Sequence, residues 1–445
     1  GVRQKLSLRQ NDGSVWRQRF GKIPNNMRKE KLLRLFTFNQ SFHWFMTGLI
    51  IPVLTLLLLK KELDLFQVGI VLGIYSGFAI LFELPTGGLA DSIGRKRVYL
   101  ISLVVSFGAI ICLLFAQGFS VLLIFGFMLM GAARALSSGT LDAWFVDEFR
   151  KIEPDGNLQA ALAKAGIFIP IGLGIGALLG GVLPMTLGKL TTQVPGFDIY
   201  SSNLLVVLFF QILQFFLTTK LISDPRSTAS NGGIIDGFRQ FPTVISGSIQ
   251  YGLKNRIVFL LVLSTTAWGF GISGVELLWQ PQTKSILGSD SQTWIFGVMS
   301  AGYFVASGLG SFIVTPISKL FNDNYQNLLA FFRFLMGATL VILAMQANIT
   351  SFIGLYWLLF IFNGVMNSPH AALLNDNIPE EQRSTLLSFE ALMLQIGGLL
   401  GSVGLGYLSD NLSIPTAWFV GAGILILSSF FYIFLPRQKE KIQAI

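Results

Sequence analysis

Several ionisable side chains lie inside long apolar stretches of this chain. They are His43, Glu83, Arg134, Asp142, Glu276, Arg333, His370 and Glu390. Such groups are costly in apolar surroundings, so they usually mark a buried pairing or a functional pathway. A carboxyl group in a low-dielectric site can take up and release protons near neutral pH. Glu83, Arg134 and Asp142 are therefore predicted as candidates for proton coupling, with Arg134 acting on the protonation of an acid.

Arg134, Ser138 and Asp142 follow one another at intervals of four residues. This spacing predicts that all three lie on one face of a helix. Two interpretations of Arg134 stay open. It binds an anionic substrate or controls the protonation of an acid, or it is the static partner of an acid on a neighbouring helix.

Glu276 stands near the end of its apolar stretch, shortly before Trp279. The preferred interpretation is a position at the membrane surface, with Trp279 as an interfacial anchor. The alternative is an outer gate. Aromatic residues are so abundant in this chain that Trp44, Trp268 and Tyr303 are expected to serve packing.

Motifs of enzymatic chemistry are absent from the sequence. It has no Walker loop, no GxGxxG fingerprint, no HExxH pair and no Ser-His-Asp arrangement in a soluble domain. The single cysteine, Cys112, excludes an internal disulfide and a cysteine-based metal cluster. We therefore expect no enzyme, no catalytic residues, no cofactor and no metal site.

The composition is that of an integral membrane protein. Of the 445 residues 52% are hydrophobic and only 12% charged, whereas soluble domains carry about 25% charged residues. Apolar stretches long enough to cross a bilayer are found at about 34–59, 66–88, 98–117, 119–144, 158–186, 201–222, 256–281, 292–317, 327–346, 350–373, 384–408 and 412–436. They predict an all-α membrane protein of twelve transmembrane helices.

The net charge of +9 bears on orientation. Basic residues gather in alternate loops, and cytoplasmic loops are the ones that carry excess Lys and Arg. With the N-terminus inside, the outer loops hold only Lys60, Lys61, Lys189 and Lys284. Both termini are therefore predicted in the cytoplasm of a plasma membrane (the inner membrane if the source is bacterial), with lipid and not nucleic acid as the partner.

Five segments follow from this pattern. Residues 1–33 form a basic cytoplasmic N-terminal segment, 34–222 a first half of six helices, 223–255 a central cytoplasmic loop, 256–436 a second half of six helices, and 437–445 a cytoplasmic tail. Part of the central loop, 234–254, could be a helix on the inner surface. The fourth and tenth stretches end in similar acidic and basic residues, which indicates a faint repeat of two six-helix halves.

The basic turn after the second stretch resembles a known family motif. It reads Gly87-Gly88-Leu89-Ala90-Asp91-Ser92-Ile93-Gly94-Arg95-Lys96-Arg97. This resembles the loop between helices 2 and 3 of the major facilitator superfamily, roughly G-x-L-x-D-R-x-G-R-K/R, with Ser92 replacing the usual basic residue. The resemblance implies a secondary transporter that moves a small molecule between two related halves.

The same resemblance implies a conformational latch. Its members are Gly87, Asp91, Gly94, Arg95, Lys96, Asp142 and Asp147. In the family the loop aspartate caps the start of helix 11, and the loop arginine pairs with an acid at the end of helix 4. Asp91 would then hold helix 11, Arg95 would pair with Asp142 or Asp147, and the latch would stabilise the outward-open state.

Helix 1 lines the central cavity in this family, and it carries a polar stripe here. Asn39, Gln40 and His43 are therefore predicted to contact substrate, although His43 could instead be a hydrogen-bonded interior histidine. Arg134 and, more weakly, His370 are further cavity candidates.

Glycines recur in the fifth stretch. Gly172, Gly176 and Gly180 are spaced for close approach of helix backbones in lipid. The run from Gly176 to Gly181 also resembles the antiporter signature G-P-x-x-G-G of the family, with Ala177 in place of the proline. Close packing is the preferred interpretation of these glycines, and an antiporter role is the alternative.

The resemblance is strongest to the proton-coupled drug and metabolite antiporters. It implies export of a small organic molecule in exchange for protons, by alternating access. An importer or symporter, or a uniporter, remains an alternative on the same fold. A membrane sensor or assembly protein that does not transport is the alternative from another class.

Overall fold

The computed structural model describes residues 25–224, 255–289, 291–378 and 383–435, and all their elements are helical. Residues 1–24 of the predicted segment 1–33, residues 225–254 of the predicted loop 223–255 with its surface helix, and the predicted tail 437–445 lie outside the described residues. The side chain of Asp91 and the surroundings of Gly87 lie outside them too. The first helix begins at Asn25, earlier than the sequence window predicted.

Twelve helical spans are long and apolar enough to cross a membrane. We number them span 1 to span 12. Spans 1 to 6 comprise Asn25–Ile50 with Leu54–Lys60, Leu65–Ile93, Arg95–Phe115, Val121–Ser137 with Thr140–Ile152, Leu158–Val182, and Ser201–Leu221. Spans 7 to 12 comprise Arg256–Leu287, Trp294–Leu320, Tyr325–Ala344, Ile349–Asn375, Arg383–Asn411 and Ile414–Ile433. Short helices at Leu183–Met185 and Gly188–Thr191 connect spans 5 and 6.

Span 1 is interrupted near one end of the bundle. Its long helix stops at Ile50, and a short helix resumes at Leu54 after Pro52. Proline has no backbone N–H and its ring crowds the preceding turn, so it breaks a helix. The break leaves backbone groups of span 1 without partners inside that span.

Span 4 is also interrupted, at Gly139. This glycine adopts the left-handed conformation with φ 63°, which glycine enters without steric cost. The prediction that Arg134, Ser138 and Asp142 share one face of a continuous helix is therefore wrong, because the helix turns between them.

The spans form two equivalent halves. Spans 1 and 5 pack closely in the first half, as spans 7 and 11 do in the second. Across the boundary, span 2 packs on span 11 and span 5 on span 8. The predicted fold class, twelve transmembrane helices in two six-helix halves, is confirmed.

Glycine allows the close contacts within each half. A Cβ atom added at Gly172, Gly176 or Gly180 would collide with a backbone carbonyl oxygen of span 1, at Ser41, Phe45 and Leu49 respectively. Gly397 and Gly401 of span 11 meet the backbone of span 7 in the same way. The predicted glycine seam thus lies along span 1. Gly181 points elsewhere, onto Gly297 of the opposite half.

The outer surface is apolar. Phe115, Phe209, Phe312 and Leu427 are among the large hydrophobic side chains that are more than half exposed. Such a surface suits lipid rather than water, and the chain is an integral membrane protein.

Candidate functional site

A cavity of about 560 Å³ lies between the two halves. This size is typical of sites for drug-sized ligands. Spans from both halves form its walls, and its aromatic lining comprises Trp44, Tyr75, Phe127, Trp268, Trp279, Tyr303, Phe304 and Tyr356. Trp44, Trp268 and Tyr303, which the sequence assigned to packing, therefore face the cavity.

Two charged side chains, Arg134 and Glu276, line the described part of this cavity. Both are exposed within it, and neither forms an ion pair with a described residue. The Arg134 guanidinium lies 5.6 Å from the centre of the Trp44 ring, in a cation–π contact. The Tyr75 hydroxyl is within electrostatic reach of both charges. The cavity thus offers one acid and one base on aromatic walls.

The placement of Glu276 differs from the preferred interpretation of the sequence. The carboxylate lines the cavity and is not at the membrane surface. Trp279 is buried and packs against Tyr356 in a tilted arrangement, with ring centres 5.5 Å apart. Glu276 and the aromatic residues are the site members that sequence reasoning missed. The sequence did contain a signal for this placement: Glu276 is followed by a second polar residue, Gln280, within an apolar run.

Gln280 closes one end of the cavity. Its side-chain oxygen accepts hydrogen bonds from the backbone N–H groups of Thr55 and Leu56, at 2.9 and 3.3 Å. Its side-chain NH2 group donates a hydrogen bond to the Ile51 carbonyl at 2.7 Å. These are the backbone groups that lose their hydrogen-bond partners within span 1 where Pro52 breaks the helix. A residue of the second half therefore caps a helix of the first.

A second contact joins the halves at the same end. The Thr293 hydroxyl donates to the Gly181 carbonyl at 2.6 Å, where span 5 meets the start of span 8. All the hydrogen bonds between described residues that cross between halves lie here, opposite Gly94. The cavity is sealed at this end, which we call the Gln280 end. We call the other the Gly94 end.

His43 and Thr47, one turn further along span 1, line the cavity, but Asn39 and Gln40 do not. The His43 Nδ1 atom lies 3.3 Å from the Tyr99 hydroxyl, which accepts a hydrogen bond from Gln214 at 2.7 Å. Asn39 is buried and donates to Thr218 at 2.8 Å. His43 is thus the cavity end of a buried network across spans 1, 3 and 6.

Asp142 and Glu83 both lie outside the described cavity lining. Gln40 of span 1, itself buried, donates to the Asp142 carboxylate at 3.1 Å. The Ser138 hydroxyl donates to Glu83 at 2.9 Å. Arg134 and Asp142 still face the same neighbour, span 1, through Trp44 and Gln40. Ser138 turns to span 2.

His370 also lies outside the lining, within the second half. Its Nε2 atom is 2.8 Å from the Glu390 carboxylate and its Nδ1 atom 3.0 Å from the Tyr432 hydroxyl. Arg333, only 3% exposed, donates to that hydroxyl at 3.2 Å. Arg333 therefore does not share the cavity with Arg134.

The Gly94 end carries the basic turn. Gly94 has φ 94°, a conformation that favours glycine. Arg95 pairs with Asp147 at 3.0 Å, both side chains being partly exposed. The Lys96 backbone N–H donates to Asp224 at 3.2 Å, which places an acid at the start of span 3, where the helix dipole favours it. The described residues hold no group of His, Cys, Asp and Glu suited to a metal ion.

Comparison with known proteins agrees with this architecture. A sequence model of the Major Facilitator Superfamily matches residues 36–362 and 261–444. The uncharacterized MFS-type transporter YxaM of Bacillus subtilis (strain 168) is 22% identical over 397 residues, which cover 88% of this chain and 93% of that protein.

Solved transporter structures share the fold. The nucleoside transporter NupG superposes with a TM-score of 0.72 at 14% identity, over 90% of this chain and 98% of that one. The POT family transporter PepTSo gives 0.70 at 13% identity, over 95% and 99%. At these identities the likeness establishes the fold alone. The relatives are transporters and not enzymes.

Proposed function

Because the chain belongs to the Major Facilitator Superfamily, we propose that this transporter exports a small amphipathic organic molecule in exchange for protons. The observation that carries the proposal is the cavity with an acid and a base, each without an ion-pair partner in the part of the chain that the structure describes. Charges left unpaired in an apolar site are costly, so a bound ligand that pairs them gains affinity.

The substrate we propose is dipolar. Glu276 would receive a cationic group and Arg134 an anionic or strongly polar group, while the aromatic walls would contact its apolar body. A ligand with two negative charges would lack a partner for the second, because Arg333 is buried in another network. This favours dipolar molecules over dianions.

Orientation and direction are part of the same proposal. The Gly94 end would face the cytoplasm, because its loops carry the excess of basic residues. The glycine run from Gly176 to Gly181, similar to the antiporter signature, supports exchange and export. The seal at the Gln280 end would then make this the state that is closed toward the outside.

We keep the latch as a proposal. The Arg95–Asp147 pair at 3.0 Å supports a link between the turn and the end of span 4. Asp91 would contact the start of span 11, and this contact would form when the Gly94 end closes. Glu83 and Asp142 stay candidates for proton transfer in the first half.

The test is transport by the full chain in proteoliposomes that contain a pH-sensitive dye. A lipophilic cation, an amphipathic zwitterion and an organic anion are added in turn to wild type, to Glu276→Gln and to Glu62→Gln, an acid in the loop at the Gln280 end. Proton movement with the zwitterion or the cation, lost only in Glu276→Gln, is expected. Solute movement without protons would refute coupling, and movement of the anion alone would refute the substrate class.

A further inference from the structure

Five polar side chains from five different spans meet inside the second half. They are Thr265 of span 7, Arg333 of span 9, His370 of span 10, Glu390 of span 11 and Tyr432 of span 12. Ionisable groups are rarely gathered within a membrane bundle unless they act together. None of them lines the central cavity, so substrate contact does not account for them.

The group forms one continuous chain of hydrogen bonds. Glu390 Oε1 accepts from the Thr265 hydroxyl at 2.9 Å and lies 2.8 Å from His370 Nε2. On the other side of the imidazole ring, His370 Nδ1 lies 3.0 Å from the Tyr432 hydroxyl. This hydroxyl accepts a hydrogen bond from Arg333 at 3.2 Å. Each atom of His370 that can carry a proton therefore has a defined partner.

This arrangement satisfies two protonation states. Since Arg333 only donates, the Tyr432 hydroxyl is free to give its own hydrogen to Nδ1 of a neutral His370, whose Nε2–H then donates to Glu390. If His370 is protonated at both nitrogens, Nδ1–H donates to Tyr432. The Tyr432 hydrogen must then turn to the buried hydroxyl of Ser264, which lies beside it and has no other hydrogen-bond partner among the described residues.

The accessible end of the chain is the acid and its histidine. The side chains of His370 and Glu390 are 17% and 18% exposed, whereas Arg333 is 3% exposed. Glu390 stands one helical turn from Leu394, a cavity-lining residue of the same span. The pair is thus partly exposed and close to the cavity, whereas the arginine behind it is buried.

Two features let a proton here act on the bundle. Pro369, just before His370, removes one internal hydrogen bond of span 10 and gives the helix a place to bend. Thr265 and Glu390 also connect spans 7 and 11, the glycine-packed pair of this half. A change at Glu390 therefore acts on three spans together.

Other charged and titratable groups on the packed spans do not join this network. Tyr75, Glu276 and Tyr303 line the cavity, and Glu83 bonds to Ser138. Arg256, Lys284, Lys319 and Arg383 lie toward span ends. Within the described residues, Arg333 is the one lysine or arginine with a hydrogen bond to another member of this network.

We propose that Glu390 and His370 are the proton-loading pair of this transporter, with Arg333 and Tyr432 positioning the histidine. A proton from water adds to the pair, weakens the hold of the carboxylate on Thr265, and returns to water on the other side of the membrane. The inference rests on the proposed function, because a loading pair acts in transport only if transport is coupled to protons.

Infrared difference spectra of the full chain in lipid bilayers, recorded at successive pH values, test the assignment directly. We expect a carboxylate component that changes with pH, that is lost in Glu390→Gln and whose midpoint pH moves in His370→Asn. Asp410→Asn, an exposed acid on the same span, should retain it. If Glu390→Gln does not reconstitute, Thr265→Val keeps the carboxylate but removes its donor and should also move the midpoint.

Two outcomes would overturn the inference. One is an unchanged spectrum in Glu390→Gln or Thr265→Val. The other is loss of the component in Glu83→Gln or Asp142→Asn instead. A failure of the proposed function looks different. There, wild-type proteoliposomes move solute without protons, while the Glu390 component remains in the spectrum.

Discussion

The side-chain oxygen of Gln280 accepts a hydrogen bond from the backbone N–H of Thr55 at 2.9 Å, and this bond joins the second half of the molecule to the first. Pro52 breaks span 1 at this point, and Gln280 supplies the partners that the break removes. An unpaired backbone group in a bilayer is costly. Gln280, which is 2% exposed, therefore supplies three of the four hydrogen bonds that join the halves between described residues.

Gln280→Leu should weaken this seal. The substitution removes three hydrogen bonds, each worth about 1 kcal/mol net, so opening of the Gln280 end should become on the order of 100-fold more frequent. Spin labels at Lys60→Cys and Ser289→Cys, in a Cys112→Ser background, report the distance between the halves by electron paramagnetic resonance. A longer distance population is expected.

Gln346→Ala is the matched control for that experiment. Gln346 lies at the same end, but its side chain bonds within its own half, donating to the Ile342 carbonyl and accepting from the Ser351 hydroxyl. Its distance distribution should match that of the unsubstituted chain. An unchanged distribution in Gln280→Leu would contradict the role of Gln280 as the seal.

The glycine seam of spans 1 and 5 should not tolerate a methyl group. Gly176→Ala would drive a Cβ into the Phe45 carbonyl, and overpacking of this kind costs about 1–3 kcal/mol. We expect a lower midpoint of thermal unfolding in detergent. Gly174→Ala has open space at its Cβ and should melt like wild type or slightly above it. Equal midpoints for both variants would refute the seam.

Sequence reasoning reached the fold because its signals are local. Twelve apolar stretches, glycines at four-residue spacing and a basic turn are all read within one span. The interruption of span 4 was not predicted, because the left-handed conformation of Gly139 depends on its surroundings. Nothing in the spacing of Arg134 and Asp142 distinguishes a continuous helix from a broken one.

The cavity could be predicted only in part, because side-chain direction is set by contacts between spans. His43 and Arg134 line the cavity, but Asn39, one turn from His43, is buried against Thr218. Glu276 lies in the cavity one helical turn before Gln280, which bonds to Thr55 of the other half. The aromatic residues of other spans that line the cavity with Glu276 cannot be identified from the sequence around it.

Asp91→Asn should destabilise closure of the Gly94 end. If the proposed latch is correct, losing this carboxylate removes the contact that favours that closed state, and the Gly94 end opens more often. Labels at Lys151→Cys and Lys319→Cys, both exposed, should then show a larger fraction of long distances. Asp410→Asn serves as the control acid. A normal distribution in Asp91→Asn, with normal expression, would refute the latch.

Binding of a dipolar solute should depend on both cavity charges. Trp44, Trp268 and Trp279 line the cavity, so ligand binding can be followed by intrinsic fluorescence in detergent. We expect Glu276→Gln to weaken binding of an amphipathic zwitterion at least 10-fold, because the cationic group loses a charged partner worth about 1.5–3 kcal/mol. Arg134→Gln should weaken the same zwitterion and spare a simple lipophilic cation, whereas Glu276→Gln should weaken both. Equal losses for both ligands in Arg134→Gln would show that Arg134 supports the cavity wall rather than binding the anionic group of the substrate.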